Sequence, residues 1–144
     1  MEIKNRSAYF EYFIDDKYIA GIMLTGTEVK SLRAGKGNFN DAYCLINDEE
    51  LWIKSFHIAE YTFGTVNNHD PVRDRKLLLH KKEIKKIQTK IKEKGYTLIP
   101  LRLFFNEKNF FKMEIGLAKG KKLHDKRESI KQRDTDREIK RFVK

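Results

Sequence analysis

Residues Gly116 to Arg127, GLAKGKKLHDKR, divide the chain in two. Just before this stretch, apolar and polar residues alternate. Phe111, Met113, Ile115 and Leu117 share one side of an extended segment, and Lys112 and Glu114 share the other. A period of two marks a half-buried antiparallel strand. From His124 onward the only apolar residues are Ile130, Ile139, Phe142 and Val143. They bury too little surface to offset the entropy of ordering the chain. The expectation is a folded body over 1–123 and a basic tail over 124–144, disordered in isolation. In a helical tail, Arg133, Arg137 and Arg141 form one row. Those charges repel in free solution and become complementary against phosphates, so the tail is expected to turn helical on binding.

Charge supports that division. Of 144 residues, 31 are Lys or Arg and 21 are Asp or Glu, a formal net charge of +10. Residues 119–144 hold 11 of those bases against 5 acids, +6 of the total. An excess this uneven suits a polyanionic partner, nucleic acid first. Within the dividing stretch, Lys119, Lys121 and Lys122 flank Gly120, where a backbone without Cβ lets a phosphate approach closely. His124 can stack on a base or donate to phosphate.

The body reads as mainly β. Tyr9–Ile14 and Tyr18–Leu24 suggest one long bent strand or a pair, with the bend at Gly21. Thr27 is placed as the N-cap of a short helix that Gly35 ends. Phe39–Ile46 and Leu51–Ile58 read as a hairpin turning through Asn47–Glu50. Residues 61–75 read as a long loop ending on Arg73, Arg75 and Lys76. Lys81–Lys94 is the clearest helix, with Leu77, Ile84, Ile87 and Ile91 assigned to one face and Gly95 as its stop. Tyr96–Phe105 and Phe110–Leu117 form a second hairpin. Pro100, which cannot donate to a ladder, belongs at an edge or bulge. Short antiparallel strands with two or three helices predict a small barrel of the oligonucleotide-binding (OB-fold) type.

The catalytic constellations are weak. Cys44 is the single cysteine, so no intramolecular disulfide can form, and its apolar neighbours suggest a buried thiol. His57, His69, His80 and His124 match no standard zinc spacing, and no metal or cofactor is expected. His69, Asp70 and His80 are the residues a metal-dependent nuclease would have to use. Asp15-Asp16 and Asp48-Glu49-Glu50 fall in predicted turns. The start has no run of signal-peptide length and no run reaches a membrane span, so a soluble protein in a reducing cytoplasm is expected. Tyr43, opening a strand beside turn residues, is the aromatic chosen to stack on an unpaired base; Trp52 is assigned to structure.

At these residues the chain resembles the SsrA-binding protein (SmpB) family, the bacterial partners of transfer-messenger RNA (tmRNA). The landmarks stand in order: Asn5-Arg6, AGIMLTGTEVKSLRAGKGN over Ala20–Asn38, DPVRDRKLLLH over Asp70–His80, GLAKGKKLHDKR, and a basic tail. The resemblance implies an OB-type barrel and an RNA-binding adaptor of trans-translation, not an enzyme. It implies that a monomer binds the tRNA-like domain of transfer-messenger RNA and delivers it to stalled ribosomes. Asn5, Tyr43, Leu78, Lys119, Lys121 and Lys122 would face that RNA. His124, Asp125, Lys126 and Arg127 would face the small-subunit rRNA of the decoding centre, with Arg133, Phe142 and Val143 on the side of the empty mRNA channel. Ile19 stands where the family commonly has glutamate, and Thr135 where relatives can carry tryptophan. A general single-stranded RNA binder of the same fold is the alternative.

Overall fold

The computed structural model describes residues 1–63 and 68–121. Lys122, His124, Asp125, Lys126, Arg127, Arg133, Phe142 and Val143 therefore lie outside the described residues, as does the expected tail. Among the described residues the elements run β1 (Glu2–Lys4), α1 (Ala8–Glu11), β2 (Tyr12–Ile22), α2 (Gly26–Arg33), β3 (Gly37–Asn38) and β4 (Tyr43–Asn47). They continue through β5 (Glu50–Lys54), β6 (His57–Ile58), β7 (Arg75–Leu78), α3 (Lys81–Lys94), β8 (Thr97–Phe105) and β9 (Phe111–Gly120). Seven strands form one antiparallel sheet in the order β1-β8-β9-β2-β7-β5-β4, and β3 pairs with β6 apart from it. The sheet curls until β4 approaches β8, with no ladder between them. The mainly β, antiparallel expectation holds.

The alternation read in β9 sets the core. Phe111, Met113, Ile115 and Leu117 are buried on the inner face with Leu51, Ile53 and Leu77. Ile84 and Ile87 of α3 are buried in the same core, and Ile91 packs against it. Leu77, just before α3, belongs to β7. Gly116 and Ala118 are buried on the other face, because α1 covers it: Ala8, Ile99, Leu101 and Ala118 form a second apolar cluster. A Cβ on Gly116 would lie 3.0 Å from Leu101 Cδ1 and 3.1 Å from Ile14 Cγ2. A larger residue there would require Leu101 or Ile14 to give way by a few tenths of an ångström.

Several local expectations change. Tyr9–Glu11 is helical rather than extended, and Phe39–Ala42 is not strand. The irregularity in β2 lies at Asp15, between the Ile14 and Asp16 pairings, and not at Gly21. The partner bulge in β8 is at Leu101, directly after Pro100 as its missing N–H requires. The N-cap of α2 is Thr25, not Thr27: its hydroxyl accepts from Glu28 N–H, and its own N–H donates to Glu28 Oε1 at 2.8 Å. This reciprocal pair is a capping box. At the other end, Gly35 N–H donates to Leu32 and Lys36 N–H to Ser31, a Schellman stop with Gly35 at φ 73°. In the β4–β5 hairpin, Asp48 and Glu49 both take positive φ, as a two-residue turn of type I′ demands.

The loop before β7 is tied down by charge. Arg75 and Glu28 are both fully buried. Arg75 Nε donates to Glu28 Oε2, and its Nη1 donates to Phe56 O at 2.5 Å. Arg73 Nη2 donates to Glu28 Oε1 at 2.6 Å. Burial alone would raise the Glu28 carboxyl, but hydrogen bonds from Arg73, the Thr25 N–H and Arg75 outweigh it and hold the group below its ordinary value of 4.5. The sign follows: this contribution is complete above the ordinary carboxyl pKa and is lost as acidification protonates the folded form.

Glu28→Gln should lower unfolding free energy by about 3–5 kcal/mol, because it strands a buried guanidinium. Lys76→Gln, which breaks an exposed pair with Glu50, should cost under about 1 kcal/mol. Urea unfolding at neutral pH checks both. The difference between Glu28→Gln and the parent should shrink as pH falls toward acid.

Candidate nucleic-acid interface

The dividing stretch begins inside the sheet. β9 runs on to Gly120, with Lys119 opposite Phe13 and Gly120 opposite Tyr12. Lys119 Nζ stands 4.7 Å from the centre of the Tyr96 ring. Lys121 N–H donates to Glu11 O at 2.8 Å, and Lys121 Nζ donates to Tyr9 O at 2.9 Å while lying 5.0 Å from the Phe13 ring. The first lysines of the motif thus rest on aromatic faces at a folded rim. Cation–π contacts fix each ammonium while leaving it charged. Tyr9 and Phe13 are both about half exposed, which suits bases as well as cations.

A second cationic group adjoins this rim through Tyr9. Lys17 Nζ lies 5.3 Å from the Tyr9 ring. A hydrogen bond to Tyr9 raises the Lys17 pKa, so the ammonium stays charged. Lys17 and Tyr9 line an open cleft of about 520 Å³ with Asn5, Arg6, Arg102 and Glu114 among others. Arg102 stacks 4.3 Å from the Phe104 ring and is held by Glu114 at 3.2 Å. Asn5 has a structural reason to be here. Its backbone N–H donates to Leu101 O at 2.8 Å, and its Nδ2 donates to Pro100 O at 2.8 Å. It therefore satisfies the carbonyls of the β8 bulge beyond the end of β1 and carries the chain into α1.

Leu78 and Tyr43 lie elsewhere on the sheet. Leu78 ends β7, opposite Gly21 of β2, and is 48% exposed. Ile19 of β2 and Met23, just past its end, are also exposed. A carboxylate at the position of Ile19 would have been polar, so this chain presents a more apolar surface at that point. Tyr43 opens the edge strand β4, and β5 separates it from β7. Lys121 touches both Tyr9 and Phe13, Asn5 shares a cleft with Tyr9, and Lys119 stands on Tyr96 opposite Phe13; Tyr43 and Leu78 do not join them.

His69 is used in packing. Its Nε2 meets the Ile58 carbonyl at 2.9 Å, and its Nδ1 meets the Thr27 hydroxyl at 2.8 Å. A carbonyl only accepts, so Nε2 carries a proton. His80 is exposed at the start of α3. Among the described residues, no group of three His, Cys, Asp or Glu side chains is placed to hold a metal. Cys44 is buried, and desolvation pushes its thiol pKa far up, which removes its nucleophilic form. The lysine–aromatic pairs are the features sequence reasoning missed. Tyr9–Phe13 read as strand, whereas Tyr9 lies in α1 and both Tyr9 and Phe13 are about half exposed.

A model of the SmpB protein family matches residues 2–144. The chain belongs to the SmpB family. The SsrA-binding protein of Bacteroides thetaiotaomicron is 54% identical over 144 residues, covering 100% of this chain and 96% of that protein. The SsrA-binding protein of Cytophaga hutchinsonii is 55% identical over 142 residues, covering 99% and 93%. A solved structure described as "tmRNA-SmpB: a journey to the center of the bacterial ribosome" is similar at a TM-score of 0.71 and 46% identity, covering 90% of this chain and 94% of that one. No helix among the described residues is long and apolar enough to cross a membrane.

The two lysines of the rim should separate in experiment. Lys119→Gln should weaken binding of a tRNA-like RNA by about 1.5–3 kcal/mol, the range for a charge-assisted contact, with unchanged melting temperature. Lys121→Gln should weaken binding and also lower stability by about 1 kcal/mol, because its ammonium ties α1 to β9. Filter binding and thermal melts read the two effects separately.

Proposed function

We propose that this chain is the RNA-binding adaptor of trans-translation. It binds the tRNA-like domain of transfer-messenger RNA and carries that RNA to stalled ribosomes in the bacterial cytoplasm. The observation that carries the reading is the end-to-end match to SsrA-binding proteins at more than half identity. The geometry supplies a physical basis: a rim of lysines on aromatic faces, with no reactive thiol beside it. Such a surface binds phosphate and stacks bases, and it breaks no bond, so the protein acts as an adaptor and not as an enzyme.

The division of labour is part of the proposal. Residues 1–123 grip the tRNA-like domain through Asn5, Tyr43, Leu78, Lys119, Lys121 and Lys122. Residues 124–144 enter the ribosome, His124, Asp125, Lys126 and Arg127 at the decoding centre and Arg133, Phe142 and Val143 toward the mRNA channel. The exposed Tyr9, Phe13 and Tyr43 also suit a general binder of single strands, which would favour strand length over folded shape.

Removal of residues 128–144 should leave affinity for the tRNA-like domain unchanged and abolish tagging on stalled ribosomes. Intact tagging by the truncated chain contradicts the division. In a competition assay, unstructured RNA of equal length should displace the tRNA-like domain at least tenfold less well than the domain itself. Equal displacement favours the single-strand binder.

A further inference from the structure

Helix α3 carries seven lysines against two glutamates, Glu83 and Glu93. Ile84 and Ile87 face the core, which leaves Lys81, Lys82, Lys85 and Lys86 exposed on the opposite side. Other lysines have carboxylate partners: Lys54 meets Asp74, Lys76 meets Glu50, and Lys90, further along α3, meets Asp16 at 2.8 Å. Among the described residues, Lys81, Lys82, Lys85 and Lys86 meet no carboxylate within 4.0 Å.

This arrangement opposes helix stability in two ways. Lys81–Lys85 and Lys82–Lys86 are like charges one turn apart, which repel. Lys81 and Lys82 also sit at the positive end of the helix dipole, where acids are favoured. The N-cap, His80, contributes no side-chain hydrogen bond to relieve it. A merely solvated face would gain from mixed charge. This one is complementary to a row of anions spaced by a helical turn, ~5.4 Å. The helix begins three residues after Leu78, the last residue of β7.

We propose that this lysine face is a phosphate-contacting surface for the folded tRNA-like RNA, extending the contact at Leu78 along the sugar–phosphate backbone. The inference rests on the reading of the chain as a binder of that RNA. The surface contributes affinity without base specificity, since phosphates position and bases specify. It also makes association depend on ionic strength through counterion release.

The test uses the full chain with Lys81, Lys82, Lys85 and Lys86 all changed to Gln, which keeps the helix propensity. Circular dichroism should show unchanged helix content. The dissociation constant for the tRNA-like domain is then measured from low to high salt. Each phosphate contact accounts for about 0.9 of the log–log slope. The slope should therefore fall by about 2–3 for the variant, and affinity near physiological salt should drop at least tenfold. An unchanged slope with parent-like affinity overturns the proposal. So does an unchanged slope accompanied by weaker binding to isolated small ribosomal subunits, which reassigns the face to ribosomal RNA. Parent protein that does not bind the tRNA-like domain is a different result: it removes the underlying reading itself. A charge-restoring variant, with the same four positions changed to Arg, should recover the parent slope.

Discussion

The carboxylate of Glu28 is the point at which the fold is tied together. It caps α2 through the Thr25 N–H, meets Arg73 from the loop, and accepts from the buried Arg75 at the start of β7. Arg75 in turn donates to Phe56 O, beyond β5. One buried ion group therefore joins a helix start, the loop before β7, the first residue of β7 and the link between β5 and β6. A buried ion pair of this kind is weak as a net source of stability but severe when broken. Its use here is to specify one path for residues 70–75. That path sets the register of β7 against β2 and β5, and with it the position of Leu78 and the start of α3.

A second constraint shapes the binding rim. The bulges at Asp15 and Leu101 fall in the two strands that flank β9. Bulges bend and twist a strand, and here they accompany a switch in what covers the outer face. On one side of them the outer face is closed by α1 over Gly116 and Ala118. On the other it is open and bears Lys17, Arg102 and Glu114. Asn5 stitches the chain across this switch. The cationic rim at Lys119 and Lys121 is consequently built on rigid strand ends, with Tyr96 and Phe13 beneath the ammonium groups.

The repetitive elements were legible in the sequence because their side chains follow one period. The helix at Lys81–Lys94, both hairpins, the inner face of β9, the stop at Gly35 and the Pro100 bulge all have a local cause. What was not legible depends on distant partners. Thr25 and Thr27 are equivalent caps until Glu28 is seen to reach back to Thr25, while Thr27 turns to His69. Arg75 lies in a basic run, RDRK, and reads as a surface cation. Only the burial of Glu28 makes it a core residue. Tyr9 to Phe13 is an aromatic run that reads as strand, yet its first half is a short helix that covers a second apolar cluster. The family resemblance was readable because three long motifs occur in order. The pairing of Lys119 with Tyr96 and of Lys121 with Phe13 was not, because each brings together residues more than twenty apart.

These features give one physical account. A buried charge ties together a curled antiparallel sheet, and the rim of that sheet holds cations and aromatic faces at set positions. The proposed binding of a folded RNA uses that rigid surface. Hydroxyl-radical footprinting of transfer-messenger RNA with the purified full chain tests this most directly. The account predicts protection confined to the tRNA-like domain on a continuous surface. Protection scattered over single-stranded segments, with that domain left open to cleavage, would contradict it.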